Sequence, residues 1–451
     1  MKNLTEGNIY KNFFVFAIPL ILAGLLSSAY GTIDNVIAGK FLGQEGLAAT
    51  GSTSQAVRFF ACIFYGMSVG FGMYIAKIFG SKKYALLKPA VFSVTLVVLG
   101  IIIVSCALIV LLHRPILKIL NVAEDIYVDS AIYFCIYIGG FAIIFLNHYF
   151  MCIFNAIGLS VYPLIASVIS GILNIVGNIV SITVLHMGVT GIALASIFAA
   201  LIVDIVYIVK LYFCLKELET ERAGLFFDKS AVKGFIKYGM PSSFQQSVMY
   251  ISSVIVSAIV NSMGVSATAS YNVVMRVYDI IAGIYQNASR TLANYAAQCF
   301  GSRQYKKLAK GLIVGLPQEL LFTVPLIVLC AVFARPLTLM FFPKGFEGEA
   351  IDYAIIFIRF YLPFIVFNLV CNLFHGFFRG ISYMNIATVS TLLASVVRII
   401  ASLALVRAFM IEGVYAGWVV SWLVEAAFAT FIYVKYFSTG DKLEKRLEKV
   451  E

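Results

Sequence analysis

The sequence predicts an all-α membrane protein whose twelve transmembrane helices form two pseudo-symmetric six-helix bundles. Three observations carry that expectation: a lipid-suited composition, a series of apolar runs, and an internal repeat. Of 451 residues, 61% are hydrophobic and 12% charged. A soluble domain has about 25% charged residues to cover its surface. The 38 Phe and 25 Tyr suit lipid-facing surfaces and interfacial belts.

An apolar run of about 20 residues crosses the bilayer as a helix. Such runs occupy 13–38, 47–79, 88–112, 127–157, 160–185, 189–213, 238–263, 267–300, 307–334, 350–379, 383–408 and 412–437. Several exceed what a bilayer needs, which implies tilt or extension beyond it. The first is too long for the core of a signal peptide and has no small-residue cleavage site after it, so it is expected to remain as a span.

The net charge is +11. The basic residues sit in short loops and form no continuous face, so they read as a topology signal rather than a nucleic-acid surface. With the N-terminus inside, the cytoplasmic segments hold clusters such as Lys77, Lys82, Lys83 and Lys88, or Arg303, Lys306, Lys307 and Lys310. The outer loops hold only Lys40, Arg114, Lys118, Arg335, Lys344 and Arg407. Both termini are therefore expected in the cytoplasm of a multi-pass plasma-membrane protein.

The repeat appears in Ala76-Lys-Ile-Phe-Gly-Ser-Lys-Lys-Tyr-Ala-Leu-Leu87, which returns as Ala297-Gln-Cys-Phe-Gly-Ser-Arg-Gln-Tyr-Lys-Lys-Leu308. Pro19 falls on Pro241, Gly43 on Gly264, Gly158 on Gly380, Ser160 on Ser382 and Gly191 on Gly413. An even number of helices per repeat makes it parallel, about an axis along the membrane normal. The division is an N-terminal lobe 1–213, a cytoplasmic linker with the start of span 7 at 214–237, a C-terminal lobe 238–437 and a charged cytoplasmic tail 438–451.

Ionisable residues within spans need a reason to be there. Asp34, in Gly31-Thr-Ile-Asp-Asn-Val-Ile-Ala-Gly39, has no basic residue within a helical turn. A buried carboxylate so placed takes a proton or binds a cation; the plainer reading is a protonated acid bonded to a neighbouring helix. Asn174 and Asn178 share one helix face, and Ser196 lies on the next span. At ~1.5 Å per residue, Asp34, Asn178 and Ser196 fall roughly 5–10 Å from the outer ends of their spans. These oxygen ligands suit a proton or Na⁺, although polar glue between helices is the plainer role for the last three. Asp204, two turns inward from Ser196, is either a further stop for the ion or structural. No other metal site, no cofactor and no disulfide framework is expected: the eight cysteines form no CxxC pair and the four histidines no ligand spacing.

Among the remaining charges, Arg276 and Asp279 are spaced to pair along one helix, and Arg398 and Glu425 to pair across adjacent spans. Glu319 lies between Pro317 and Pro325, where a broken helix could expose it. At the repeat offset Asp34 corresponds to Val256, Asn174 to Val396 and Asn178 to Ile400, so the polar cluster belongs to one lobe. A substrate cavity is expected between the lobes, lined on the C-terminal side by Gln245, Gln246, Met249, Asn368 and Asn372. No phosphate-binding loop or catalytic constellation is present, so ATP-driven transport and enzymatic activity are not expected.

In order, Leu4-Thr-Glu-Gly7, Pro19, Asp34 with Gly39, Gly80, Asn174, Gly191 and Arg379-Gly380, together with the six-plus-six repeat, resemble the multidrug and toxic compound extrusion (MATE) family along essentially the whole chain. The resemblance implies a V-shaped pair of bundles that exports amphiphilic, often cationic compounds in exchange for H⁺ or Na⁺, acting as a monomer. NorM-type members carry Glu in span 7 and Asp in span 10, where Met249 and Asn368 stand here. The DinF-like branch, with Asp in span 1 and Asn and Asp in span 5, is closer. There Asp34 and Asn174 match, Asn178 replaces the second acid, and Ser196 replaces a Thr. The missing carboxylate tilts the expectation from Na⁺ towards H⁺. The alternative is a flippase for a lipid-linked saccharide or other lipid, for which Arg58, Arg276 and Arg290 would supply cationic charge.

Overall fold

The computed structural model describes residues 3–120, 122–218, 226–342, 347–438 and 440–447. Parts of the expected linker and tail, and Lys2, Arg222, Lys344 and Lys449, lie outside them. So do the side chains of Thr32 and Asn35 beside Asp34.

All regular structure among the described residues is helical. In chain order the α-helices are α1 (Ile9–Gly80), α2 (Leu87–Leu111), α3 (His113–Ile119), α4 (Tyr127–Gly139), α5 (Phe141–Ala156), α6 (Val161–Thr183), α7 (Gly188–Leu218), α8 (Lys229–Asn261), α9 (Val265–Gly301), α10 (Tyr305–Val332), α11 (Ala334–Leu339), α12 (Glu349–Ile356), α13 (Ile365–Gly380), α14 (Met384–Tyr436) and α15 (Gly440–Leu447). Nine helical segments among the described residues are long and apolar enough to cross a membrane, or ten if the bent pair α4 and α5 counts as one. Their outer faces are apolar: on α2 alone Leu96, Ile101, Ile103, Val104, Leu108 and Leu111 are exposed. Exposure on that scale identifies lipid as the solvent.

Two elements are longer than any single crossing. α1 has 72 residues and departs from helical geometry at Gly43. α14 has 53 and departs at Met410. At ~1.5 Å per residue each far exceeds a hydrocarbon core of about 30 Å. α9 is absent from the apolar set because it carries Arg276, Asp279 and Arg290.

The chain divides into two compact units, one of residues 1–3 and 22–243, the other of residues 4–21 and 244–451. The boundaries fall inside α1 and inside α8, about one repeat apart. Each unit has its own core. In the first, Phe71 stacks on Tyr149 with ring centroids 5.4 Å apart, and Phe64 packs on Phe141 and Phe145. In the second, Phe13 and Phe16 join Leu292, Tyr295, Phe377 and Phe437. Leu443 and Leu447 of α15 are buried in that same cluster.

The repeat is written into the backbone. Gly43 (φ 71°) matches Gly264 (φ 101°), Lys82 (φ 58°) matches Arg303 (φ 57°), and Gly188 (φ 59°) matches Met410 (φ 50°). L-residues other than glycine rarely adopt such angles, so their recurrence at offsets of 221 or 222 residues reflects a shared turn geometry. The turn hydrogen bonds recur too: Lys82 N–H donates to Phe79 O and Arg303 N–H to Phe300 O. The apolar pattern predicts one crossing helix for each of the runs 127–157 and 350–379, with Pro363 a hinge or kink in the second. Instead α4 and α5 meet at 46° beside Gly140. In the second repeat a π-turn at Phe357–Tyr361 and a 3₁₀ turn at Leu362–Phe364 separate α12 from α13. Pro363 supplies a cause there, because it has no N–H for the ladder.

Candidate functional site

The site in the first unit begins with the unusual face pattern of α6. Gly171, Asn174, Asn178 and Ser181 are buried along one stripe, while Ile172, Val176, Ile179 and Val180 are exposed on the other. That is the reverse of a soluble amphipathic helix, and it turns both amides inward. Small residues then bring α7 close. A Cβ on Gly191 would stand 2.5 Å from Ser181 Oγ, and one on Gly177 would stand 3.0 Å from Ala195 Cβ. Close approach of this kind lets short polar side chains meet between membrane helices.

They meet in a line. Asn178 Nδ2 donates to Asp34 Oδ1 at 2.6 Å and to Asn174 Oδ1 at 3.4 Å. Asn174 Nδ2 donates to Ser196 Oγ at 3.0 Å, and Ser196 donates to the Ile192 carbonyl at 3.1 Å. Ile37, Ala38, Ile182 and Ile192 form the apolar wall, with Tyr133 packed against it. Among the described residues, Asn178 Oδ1 is buried without a hydrogen-bond partner. Four of the five sequence-predicted coupling residues are thus brought together. The fifth, Asp204, is not joined to them. It is buried on α7, and among the described residues neither carboxylate oxygen has a hydrogen-bond partner.

The second unit carries a polar stripe along α13 at Asn368, Asn372, His375 and Arg379. Asn368 Oδ1 accepts from Tyr285 Oη at 2.5 Å and from Asn372 Nδ2 at 3.1 Å. Arg379 Nη2 donates to Gln245 Oε1 at 2.9 Å, and Gln245 Nε2 donates to Thr391 Oγ1 at 2.7 Å. Gln245 is therefore buried with its amide committed to α13 and α14. Gln246, Met249 and Asn372 are half-buried. A cavity of about 330 Å³ in this unit is lined by Ile356, Phe360, Tyr361 and Glu412 among others, and by none of the five expected lining residues.

Two charge assignments need correction. Glu425 does not pair with Arg398: it lies 3.3 Å from His375 Nε2 and accepts from Ser390 Oγ at 3.4 Å. The Arg398 guanidinium instead lies 4.9 Å from the centroid of Trp418. The cause is the register across Met410. A Cβ on Gly413 would meet Leu405, one on Gly417 would meet Ser402, and Ser390 meets Glu425. Glu425 therefore lies about two turns from the level of Arg398. Glu319 is not exposed by a broken helix: α10 runs through Pro317 and Pro325, and Ser289 Oγ donates to Glu319 Oε1 at 2.8 Å. The His375–Glu425 contact escaped sequence reading because 50 residues separate its members. The i, i+4, i+7 spacing from Asn368 to His375 was the available signal.

The MatE family model matches residues 19–180 and again residues 241–403, two stretches whose starts lie one repeat apart. The chain belongs to the MatE family. Members of this family, the MATE proteins, are membrane transporters rather than enzymes. Probable multidrug resistance protein YoeA of Bacillus subtilis strain 168 is 26% identical over 351 residues, covering 75% of this chain and 74% of the relative. Probable multidrug resistance protein YpnP of the same strain is 23% identical over 444 residues, 96% of each chain. A structure described as the outward-facing conformation of a multidrug resistance MATE family transporter of the MOP superfamily matches with a TM-score of 0.87 at 18% identity. It covers 100% of this chain and 99% of its own, a likeness of fold.

Proposed function

We propose that this MATE protein is a secondary multidrug exporter of the plasma membrane, which expels amphiphilic cationic compounds in exchange for protons held at Asp34. The hydrogen-bonded line from Asp34 through Asn178 and Asn174 to Ser196 carries this reading. In it each amide nitrogen donates towards Asp34, Asn174 or Ser196, and Asn178 Oδ1 is left over. That polarity suits a charged Asp34. When Asp34 gains a proton, the carboxylic acid becomes a donor. Rotation of the two amides and the Ser196 hydroxyl then reverses the line: Asp34 donates to Asn178 Oδ1, and Ser196 donates to Asn174 Oδ1. The Asp34 carboxyl thus keeps Asn178 as a hydrogen-bond partner in both protonation states, as a site that loads and releases a proton requires. Asn178 stands where the DinF-like branch has its second acid, so the site holds one carboxylate rather than two, which favours H⁺ over Na⁺. Asp204 would serve as a further stop on the same proton's route.

The wider reading is a chain of twelve spans in two six-helix bundles, with both termini cytoplasmic, working as a monomer. Treating α1 and α14 as two spans each, α4 with α5 and α12 with α13 as one each, and counting α9, yields twelve. The matched turns at 221 or 222 residues support that division. The composition of the site, with Asp34 and Asn174 and without acids at Met249 and Asn368, supports a reading nearer the DinF-like branch than the NorM-type. Names of the relatives favour drug export over lipid flipping.

The test is efflux of a lipophilic cationic dye from vesicles containing the purified protein. Export should follow an imposed proton gradient, and a Na⁺ gradient alone should not drive it; the opposite pattern would reverse the ion assignment. Asn174→Ala should slow export by roughly 3- to 10-fold, the worth of about 0.6–1.5 kcal/mol for one interhelical hydrogen bond. Asn178→Asp restores a second carboxylate and should add Na⁺ dependence; export that stays insensitive to Na⁺ would count against a charge-based ion choice. Replacing Gln246 and Asn368 together with Leu should change which dyes are exported, and an unchanged range would remove them from the substrate path.

A further inference from the structure

The Asp34 line leaves the ionisable groups of the second unit unused. His375 and Glu425 are 5% and 4% exposed. Their Nε2 and Oε1 atoms are 3.3 Å apart, within ion-pair range but out of line for a hydrogen bond. Burying two such groups is costly unless they compensate each other. Among the described residues, no ion pair of Glu425 with Lys or Arg is found. Ser390 faces Glu425 from the first half of α14, and Cys371 faces it from α13, donating its own S–H to the Trp422 carbonyl. From α9, Tyr278 and its neighbour Asp279 face the same region. Arg398 is held against Trp418, and Arg379, one turn beyond His375, is held by Gln245.

We infer that His375 and Glu425 form a second proton-binding site, in the C-terminal unit and distinct from Asp34. With one proton the pair is neutral overall, as imidazolium beside carboxylate or as imidazole beside carboxylic acid. Releasing that proton to water leaves imidazole and a carboxylate, a net change of one negative charge. Imidazole is the side chain that ordinarily changes charge near neutral pH. The site sits on the polar stripe of α13, and Asn372, one turn away, continues the line to Asn368 and Tyr285. This inference does not depend on the coupling role given to Asp34.

The protein carries its own reporter, since its two Trp residues are Trp418 and Trp422. Trp422 is one turn from Glu425, its carbonyl accepts from Cys371, and Tyr278 stacks on its ring at 6.0 Å. Intrinsic Trp emission of the purified protein in lipid nanodiscs, titrated from about pH 5 to about pH 9, should show a transition. Asp34→Asn should keep it, while His375→Gln and Glu425→Gln should each reduce it to the drift of free Trp. Glu425→Asp should keep it with a shifted midpoint. A flat wild-type trace would overturn the assignment even if a variant failed to fold. So would a transition that survives both Gln variants or one that vanishes in Asp34→Asn.

Discussion

Asp34→Asn is expected to insert, purify and bind substrate as the wild type does, while gradient-driven export falls to the level of empty vesicles. The substitution nearly keeps the volume of the side chain and removes its only titratable group. A neutral amide at position 34 can still accept from Asn178 Nδ2, the contact now made at 2.6 Å, so the helix packing around it is retained. What is lost is the change between acceptor and donor that reverses the line to Ser196. Dye binding and export measured on the same preparation separate the two properties. Wild-type export by Asp34→Asn would move the coupling site elsewhere, with Asp204 the next residue to replace.

The second large effect is structural. Gly70→Leu should abolish recovery of folded protein, because a Cβ there would stand 2.3 Å from the Tyr238 carbonyl oxygen and 2.6 Å from Gly239 Cα. Those are backbone atoms of α8, so no rotamer change can relieve the contact. Overpacking a core with room to relax costs about 1–3 kcal/mol, and the fixed backbone here leaves less room than that. Gly66, one turn earlier, meets the backbone of Ser242 and Ser243 in the same way. Gly100→Leu is the control: nothing lies within 4 Å of a Cβ at that position. Size-exclusion profiles and thermal unfolding in detergent should separate the two variants cleanly. Equal stability would show that α1 and α8 need not approach so closely.

Much of the fold was legible because lipid imposes long apolar runs and because the repeat preserved turn residues. Gly43 and Gly264 occupy matched sequence positions, and both adopt a positive φ. The inward face of α6 was legible for the same reason, since Asn174 and Asn178 fall one helical turn apart among aliphatics. The break beside Gly140 was not, because hydropathy records that a run is apolar and not whether its hydrogen-bond ladder is continuous; in the second run Pro363 marked a kink, though not the π-turn at Phe357–Tyr361. Arg398 and Glu425 were misjudged because adjacency of two helices leaves their register free, and the turn at Met410 sets it. His375 has no metal-ligand spacing, yet its place on the stripe with Asn368 and Asn372 marks it in the sequence as facing other helices.

Proton movement itself gives the most direct measurement of the central claim. Vesicles containing the wild-type protein and a trapped pH indicator, prepared without Na⁺, should show substrate-evoked proton flux when a lipophilic cation is added on one side. Exchange at Asp34 requires that flux to run opposite to the substrate and to disappear in Asp34→Asn. Substrate transport with no accompanying pH change, or a pH change that persists in Asp34→Asn, would contradict the account.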